Sequence, residues 1–142
     1  MKESKKALSA LVKTTQMGQV GIRCALEAVM TPNLRKALES QLREYDALET
    51  QAHAMASCRG WELPSLDPAW AALARMTTRL RLNGRDNDSK VADMMIQGNT
   101  RGMIQSLRHL HRLTTADPSL GALTQRVLDF ETANIRQMQP FL

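Results

Sequence analysis

Apolar residues return along this chain at alternating steps of three and four, and the runs break only where Pro, Gly, Asn and Asp gather. Leu8, Leu11, Thr15, Gly18, Ile22, Ala25 and Val29 make one narrow seam, which predicts a first helix from about Glu3 to Met30. Thr31-Pro32 then ends one helix and opens another, with Thr31 as the expected N-cap and Pro32 at the first helical position. The second seam is Leu34, Leu38, Leu42, Tyr45, Leu48, Ala52 and Met55, and Gly60 reads as its C-terminal stop. A connection that short makes the pair an antiparallel hairpin.

Past the loop "GWELPSLDP", Asp67-Pro68 opens a shorter helix to about Leu82, stopped by Asn83-Gly84. Asp88 or Ser89 is the expected cap of a long helix through Leu113. Its inward positions are Ala92, Met95, Asn99, Met103, Ser106, Leu110 and Leu113, with Ile96 and Leu107 on the flank. Asp117-Pro118 opens the last helix, which runs through Leu120, Leu123, Val127, Ile135 and Met138 to about Gln139. Each long helix has roughly 22–28 residues, or about 33–42 Å, and one amphipathic hairpin of that length cannot hide its own seam. Two hairpins face to face can. The stretch between Gly60 and Asn87 must return the chain from one end of the bundle to the other, and a helix of about 15 residues plus loop spans that distance.

Composition agrees and narrows the picture. The chain is 142 residues long, enough for a single domain covering 1–142 with a real core. Met is abundant and aromatics are 4%, a balance that favours helix over sheet. Cys24 and Cys58 lack zinc-ribbon or CxxC spacing. On antiparallel helices joined near residue 31 they would stand about 30 Å out of register, too far for a disulfide. Free thiols, no run of 18 apolar residues and no secretory h-region predict a soluble cytoplasmic protein with no membrane partner. The net charge of +5 is spread along the chain, apart from Arg75, Arg79, Arg81 and Arg85 in "ARMTTRLRLNGR". Without interleaved aromatics or a binding motif, that excess reads as a solvated face rather than a nucleic-acid surface.

The halves echo each other. "TTQMGQVGI" resembles "GNTRGMI", and "REYDALE" resembles "LDFETAN", so Gly18 aligns with Gly102 and Tyr45 with Phe130 at nearly equal spacing. Glycine inside a helix costs about 1 kcal/mol against Ala, so Gly18 and Gly102 call for close helix approach, or for a ligand cavity.

The hairpin, crossover, hairpin layout resembles the ferritin-like superfamily, which includes rubrerythrin and bacterioferritin. Through "QMGQVGI", "KVADMMIQGNTRGMI" and "FETANIRQMQPFL" the whole chain is more closely similar to a group of uncharacterised bacterial proteins of that fold. The resemblance implies an all-α ferritin-like antiparallel four-helix bundle, two hairpins joined by a long crossover with a short extra helix.

In metal-binding members of the superfamily each hairpin supplies a Glu from its first helix and a Glu-x-x-His from its second. The matching positions here hold Asp46 with Glu49 and Glu131 with Asn134, and Gln16 and Thr100 stand where the first-helix acids belong. Both histidines are missing, so the resemblance implies an incomplete di-iron site. His53, one turn after Glu49, is the one histidine placed to replace a ligand. The candidate metal set is therefore Asp46, Glu49, His53 and Glu131, for iron, manganese or zinc. The other reading keeps these acids in polar pairs, Asp46 and Glu49 with Arg43 or Arg126, and Glu131 with an arginine, Asn134 or Gln16. His109 and His111 point away from each other on a helix and cannot share an ion. With no nucleophile motif and no phosphate loop, the expectation is a non-catalytic protein without a cofactor that acts as a homo-oligomer or with a protein partner. The alternatives are a divergent metal-binding protein and a basic anion or nucleic-acid binder.

Overall fold

The computed structural model describes residues 2–65, 67–82, 84–113 and 116–142. Five helices carry them: α1 (Lys2–Leu26), α2 (Pro32–Cys58), α3 (Pro68–Arg81), α4 (Asn87–Leu113) and α5 (Pro118–Met138), followed by a 3-10 turn, Gln139–Phe141. No strand occurs among the described residues. The fold is an all-α antiparallel four-helix bundle of two hairpins, α1–α2 and α4–α5, joined by a crossover that contains α3.

Side-chain pairs set the register. Gln16 and Gln19 of α1 reach Glu49 of α2, while Ser106 of α4 reaches Glu131 of α5. Between hairpins, Glu3 lies 4.0 Å from Arg112 at one end, and Asp88 accepts from the Met30 amide at 2.8 Å at the other, so α1 and α4 run antiparallel. Gln41 donates to Gln137 at 2.8 Å and Arg59 to Asp117, which makes α2 antiparallel to α5. The second helix thus ends beside the start of α5, and α4 starts beside the α1–α2 turn. The crossover accordingly returns along the bundle, with α3 against α1.

The local signals behave unevenly. Asp67 accepts from the Ala69 amide at 2.9 Å and Asp117 from the Leu120 amide at 3.3 Å, so both Asp-Pro pairs open helices as expected. Gly60 has φ +68° and sits just after the end of α2, where the Trp61 amide donates back to the Ala56 carbonyl at 2.9 Å. The first helix stops at Leu26 rather than near Met30, and the Arg35 guanidinium reaches back to satisfy the Leu26 and Val29 carbonyls at 3.1 and 3.3 Å. Thr31 makes no side-chain cap. Its hydroxyl and its amide instead donate to Asp88, whose carboxylate ties the α1–α2 turn to α4 rather than capping α4. Burial pushes the Asp88 carboxyl up, but these bonds from Met30 and Thr31 outweigh it and hold the group below its ordinary value. The expected stop at Asn83-Gly84 falls partly outside the described residues.

The core is in two parts. Leu8, Leu11, Val12, Leu48, Leu123 and Val127 fill one end, and Ile22, Leu34, Leu38, Val91, Met95 and Met138 fill the other. Phe130 packs against both. Between them lie the buried polar groups.

Candidate functional site between the hairpins

Halfway along the bundle the seam turns polar. Thr15 and Gln19 on α1, Asn99 and Ser106 on α4, and Glu131 and Asn134 on α5 are all buried. Tyr45 of α2 closes the group: its hydroxyl donates to Asn99 Oδ1 at 3.2 Å, the same oxygen that accepts from Asn134 Nδ2 at 3.2 Å. Asn99 in turn donates to the Met95 carbonyl at 2.7 Å, which fixes its amide. The Tyr45 ring meets Phe130 edge to face, with centroids 4.7 Å apart. Burial, and then the Glu131 carboxylate, push the phenol well above its ordinary range, against a hydrogen bond with Asn134 that lowers it.

Glu131 is 0% exposed. Ser106 donates to its Oε1 at 3.2 Å, and its Oε2 has no hydrogen-bond partner among the described residues. Burial raises its pKa to about 8, opposed by the Ser106 bond, so the group carries a proton at neutral pH. A buried carboxylate without a cation beside it is far costlier than a neutral carboxyl, and this one takes the cheaper form.

Gly102 is what admits the carboxyl. A Cβ there would overlap Glu131 Oε2 outright and lie 2.6 Å from Cδ. Gly18 does the same for the Tyr45 ring, whose Cε1 and Cε2 would each lie 2.7 Å from an added Cβ. The aligned glycines therefore serve not close backbone approach but a large side chain from the hairpin partner. The pairing in the second half is Gly102 with Glu131 rather than with Phe130.

The four candidate ligands do not come together. Asp46 is exposed. Glu49 is half-buried and accepts from Gln16 Nε2 at 2.9 Å and Gln19 Nε2 at 2.7 Å, while His53 Nε2 lies 3.1 Å from it. Burial pushes Glu49 up, but the bonds from Gln16, Gln19 and His53 outweigh it and leave the carboxyl below its ordinary range. Among the described residues no group of three or more His, Cys, Asp or Glu is placed to hold a metal ion. Of the expected arginine partners, Arg126 pairs instead with Glu44 at 3.1 Å and reaches Gln51. Thr100 is exposed and bonds the Ile96 carbonyl. The neighbours of Glu131 are a hydroxyl, amides and a phenol, so the donor set of a two-metal centre does not fit this interior.

Sequence reasoning had Asn99 and Ser106 facing inward without a role. It missed that Tyr45, Asn99 and Asn134 form one chain, and that Ser106 is the partner of Glu131. The legible signal was polar residues recurring on the α4 seam.

Among the described residues, no helix is long and apolar enough to cross a membrane. Cys24 is buried and Cys58 exposed, both as free thiols. Arg75, Arg79 and Arg85 are exposed, with Arg79 3.9 Å from Glu27; the Arg81 side chain lies outside the description.

No family model and no curated protein matches the chain. Among solved structures it is similar to the crystal structure of a DUF305 fragment from Deinococcus radiodurans, with a TM-score of 0.79 over 99% of this chain and 95% of that one. The identity is 13%, so the likeness establishes the helical fold and nothing finer.

Proposed function

We propose that this chain is a ferritin-like bundle that has given up metal redox chemistry and works by association, with itself or with a protein partner. The observation that supports this reading is the surroundings of Glu131: a two-metal centre needs several carboxylates and imidazoles converging on it, whereas this interior acid is bonded to a serine and, among the described residues, no group of three or more His, Cys, Asp or Glu is placed to hold an ion. The one-crossover layout supports the ferritin-like assignment. Exposed Ile104 (46%) and Leu107 (39%), neighbours on the outer side of α4, support association. The free cysteines support a reducing, cytoplasmic setting.

The divergent metal reading keeps one observation in its favour, the Glu49 and His53 side chains at 3.1 Å. Two donors fall short of the four that a structural zinc site takes. The basic-surface reading keeps the exposed arginines of α3, and binding through them would fall steeply with salt.

Light scattering on protein purified without chelator, paired with elemental analysis, tests the proposal. The expected result is a dimer or larger species, or a co-purifying protein, with less than about a tenth of an equivalent of metal and no melting shift on adding iron, manganese or zinc. A strict monomer without partner, or stoichiometric metal that raises the melting temperature, overturns it.

A further inference from the structure

Between α1 and α4, with α3 along one side, lies a cleft of about 730 Å³, well within the size range of small-molecule sites. Small residues line it, Gly18 and Gly21 from α1 and Gly98 and Gly102 from α4. At Gly98 an added Cβ would meet nothing within 4 Å. A groove of glycines alone says little, but here a buried acid stands at its wall. Glu131 lines the cleft, with the unpartnered Oε2 lying where the Gly102 side chain would be.

The cleft is polarised along its length. The third helix ends beside the C-terminal end of α1, where Arg79 approaches Glu27, and its 14 residues cover about 21 Å. That leaves the α1 stretch carrying Lys6 and Lys13 toward the uncovered end, with Arg101 opposite on α4. None of these three cations takes part in an ion pair among the described residues. Apart from Glu131, no acid among the described residues lines the cleft. The covered half carries Met17, Met94, Met95 and Trp70 on its walls, with Thr77 and Thr78 of α3 beside them.

We propose that this cleft binds a small amphipathic anion, its acidic group held at Lys6, Lys13 and Arg101 and its apolar body lodged against Met17, Met94, Met95 and Trp70. Methionine and tryptophan give an adaptable apolar wall. Three unpaired cations lining the cleft favour an anion over a neutral or cationic analogue of the same body. Glu131 offers one hydrogen bond from the wall, the kind of sparse interior polar group that orients a ligand in an otherwise apolar pocket. The site is independent of how the outer faces of the bundle are used.

Calorimetric titration of the full chain with decanoate, decanol and decylammonium tests this, with three variants. Decanoate binds at least about tenfold more tightly than the other two, since the probes share a ten-carbon chain and differ in the charge and chemistry of the head group. Gly98→Leu fills the cleft and weakens all binding by at least about tenfold, while its melting temperature holds or rises because a helix-interior glycine is removed. The double variant Lys6→Glu/Lys13→Glu abolishes the preference for decanoate and leaves decanol binding unchanged. Lys36→Glu, on exposed α2 surface, changes none of these, which separates the mouth from the overall positive charge. Failure of decanoate to bind, equal affinity for all three probes, or full binding by Gly98→Leu overturns the proposal.

Discussion

Replacing Glu131 by Gln separates a neutral interior acid from a charged one. The ordinary pKa of 4.5 rises to about 8 in the folded chain, mainly through burial. The folded state therefore keeps this proton to higher pH than the unfolded state does. Stability tied to it is fully present below pH 4.5, declines as pH rises, and is lost beyond pH 8. At about 1.4 kcal/mol per unit, the difference amounts to about 3–5 kcal/mol across that window. The amide introduced by Glu131→Gln cannot ionise, keeps an oxygen for the Ser106 hydroxyl, and has nearly the same shape as the acid it replaces. Urea unfolding of both proteins at pH 5, 7 and 9 reads the effect. At pH 5 the two differ by less than about 1 kcal/mol, whereas at pH 9 the variant is the more stable by several, on the order of 10 °C in melting temperature. Contributions common to the two proteins cancel in the comparison. Parallel stability curves for the two proteins would refute the reasoning, and so would a variant that loses stability at every pH.

Two glycines one turn apart on α4 should respond oppositely. Gly98→Ala meets nothing and stabilises by about 1 kcal/mol, whereas Gly102→Ala collides with the Glu131 carboxyl and destabilises by about 2–4 kcal/mol. Adding Glu131→Ala recovers part of the Gly102→Ala loss, a coupling that chemical denaturation of the four proteins in a double-mutant cycle measures. At the far end, Arg59 donates twice to Asp117, at 2.5 and 2.9 Å, and holds that carboxyl well below its usual range. Arg59→Ala lowers unfolding stability by about 1–3 kcal/mol at pH 7. Because the Asp117 pKa is depressed, the contribution is present above pH 4 and fades as pH falls, so the gap between wild type and Arg59→Ala narrows toward pH 2.

Much of the fold was legible because helix periodicity is a local property. The α1 seam from Leu8 to Val29 and the α5 seam from Leu120 to Met138 are buried as the spacing required, Gly18 and Ile135 being only half-buried. Asp67 and Asp117 cap as their Pro neighbours implied. Thr31 and Asp88 also looked like caps but found each other across the bundle end, a contact between residues far apart in sequence. The site was less legible on the same grounds. That Glu131 faces inward follows from its place on the stripe, but whether it meets an arginine, a metal or a serine depends on which α4 residue stands opposite. Gly102 was noticed as an oddity, and its meaning appears only when the Glu131 carboxyl is seen filling the space of its missing side chain.

The central claim is that the middle of the bundle is a neutral hydrogen-bonding layer, and infrared spectroscopy of the carboxyl groups tests it most directly. With ordinary acids ionised at pH 7, the account predicts a single protonated-carboxyl band that is absent from Glu131→Gln, disappears as pH rises past 8, and does not move on adding iron or manganese. Only ionised carboxylate at pH 7, or a band that a metal ion displaces, would contradict it.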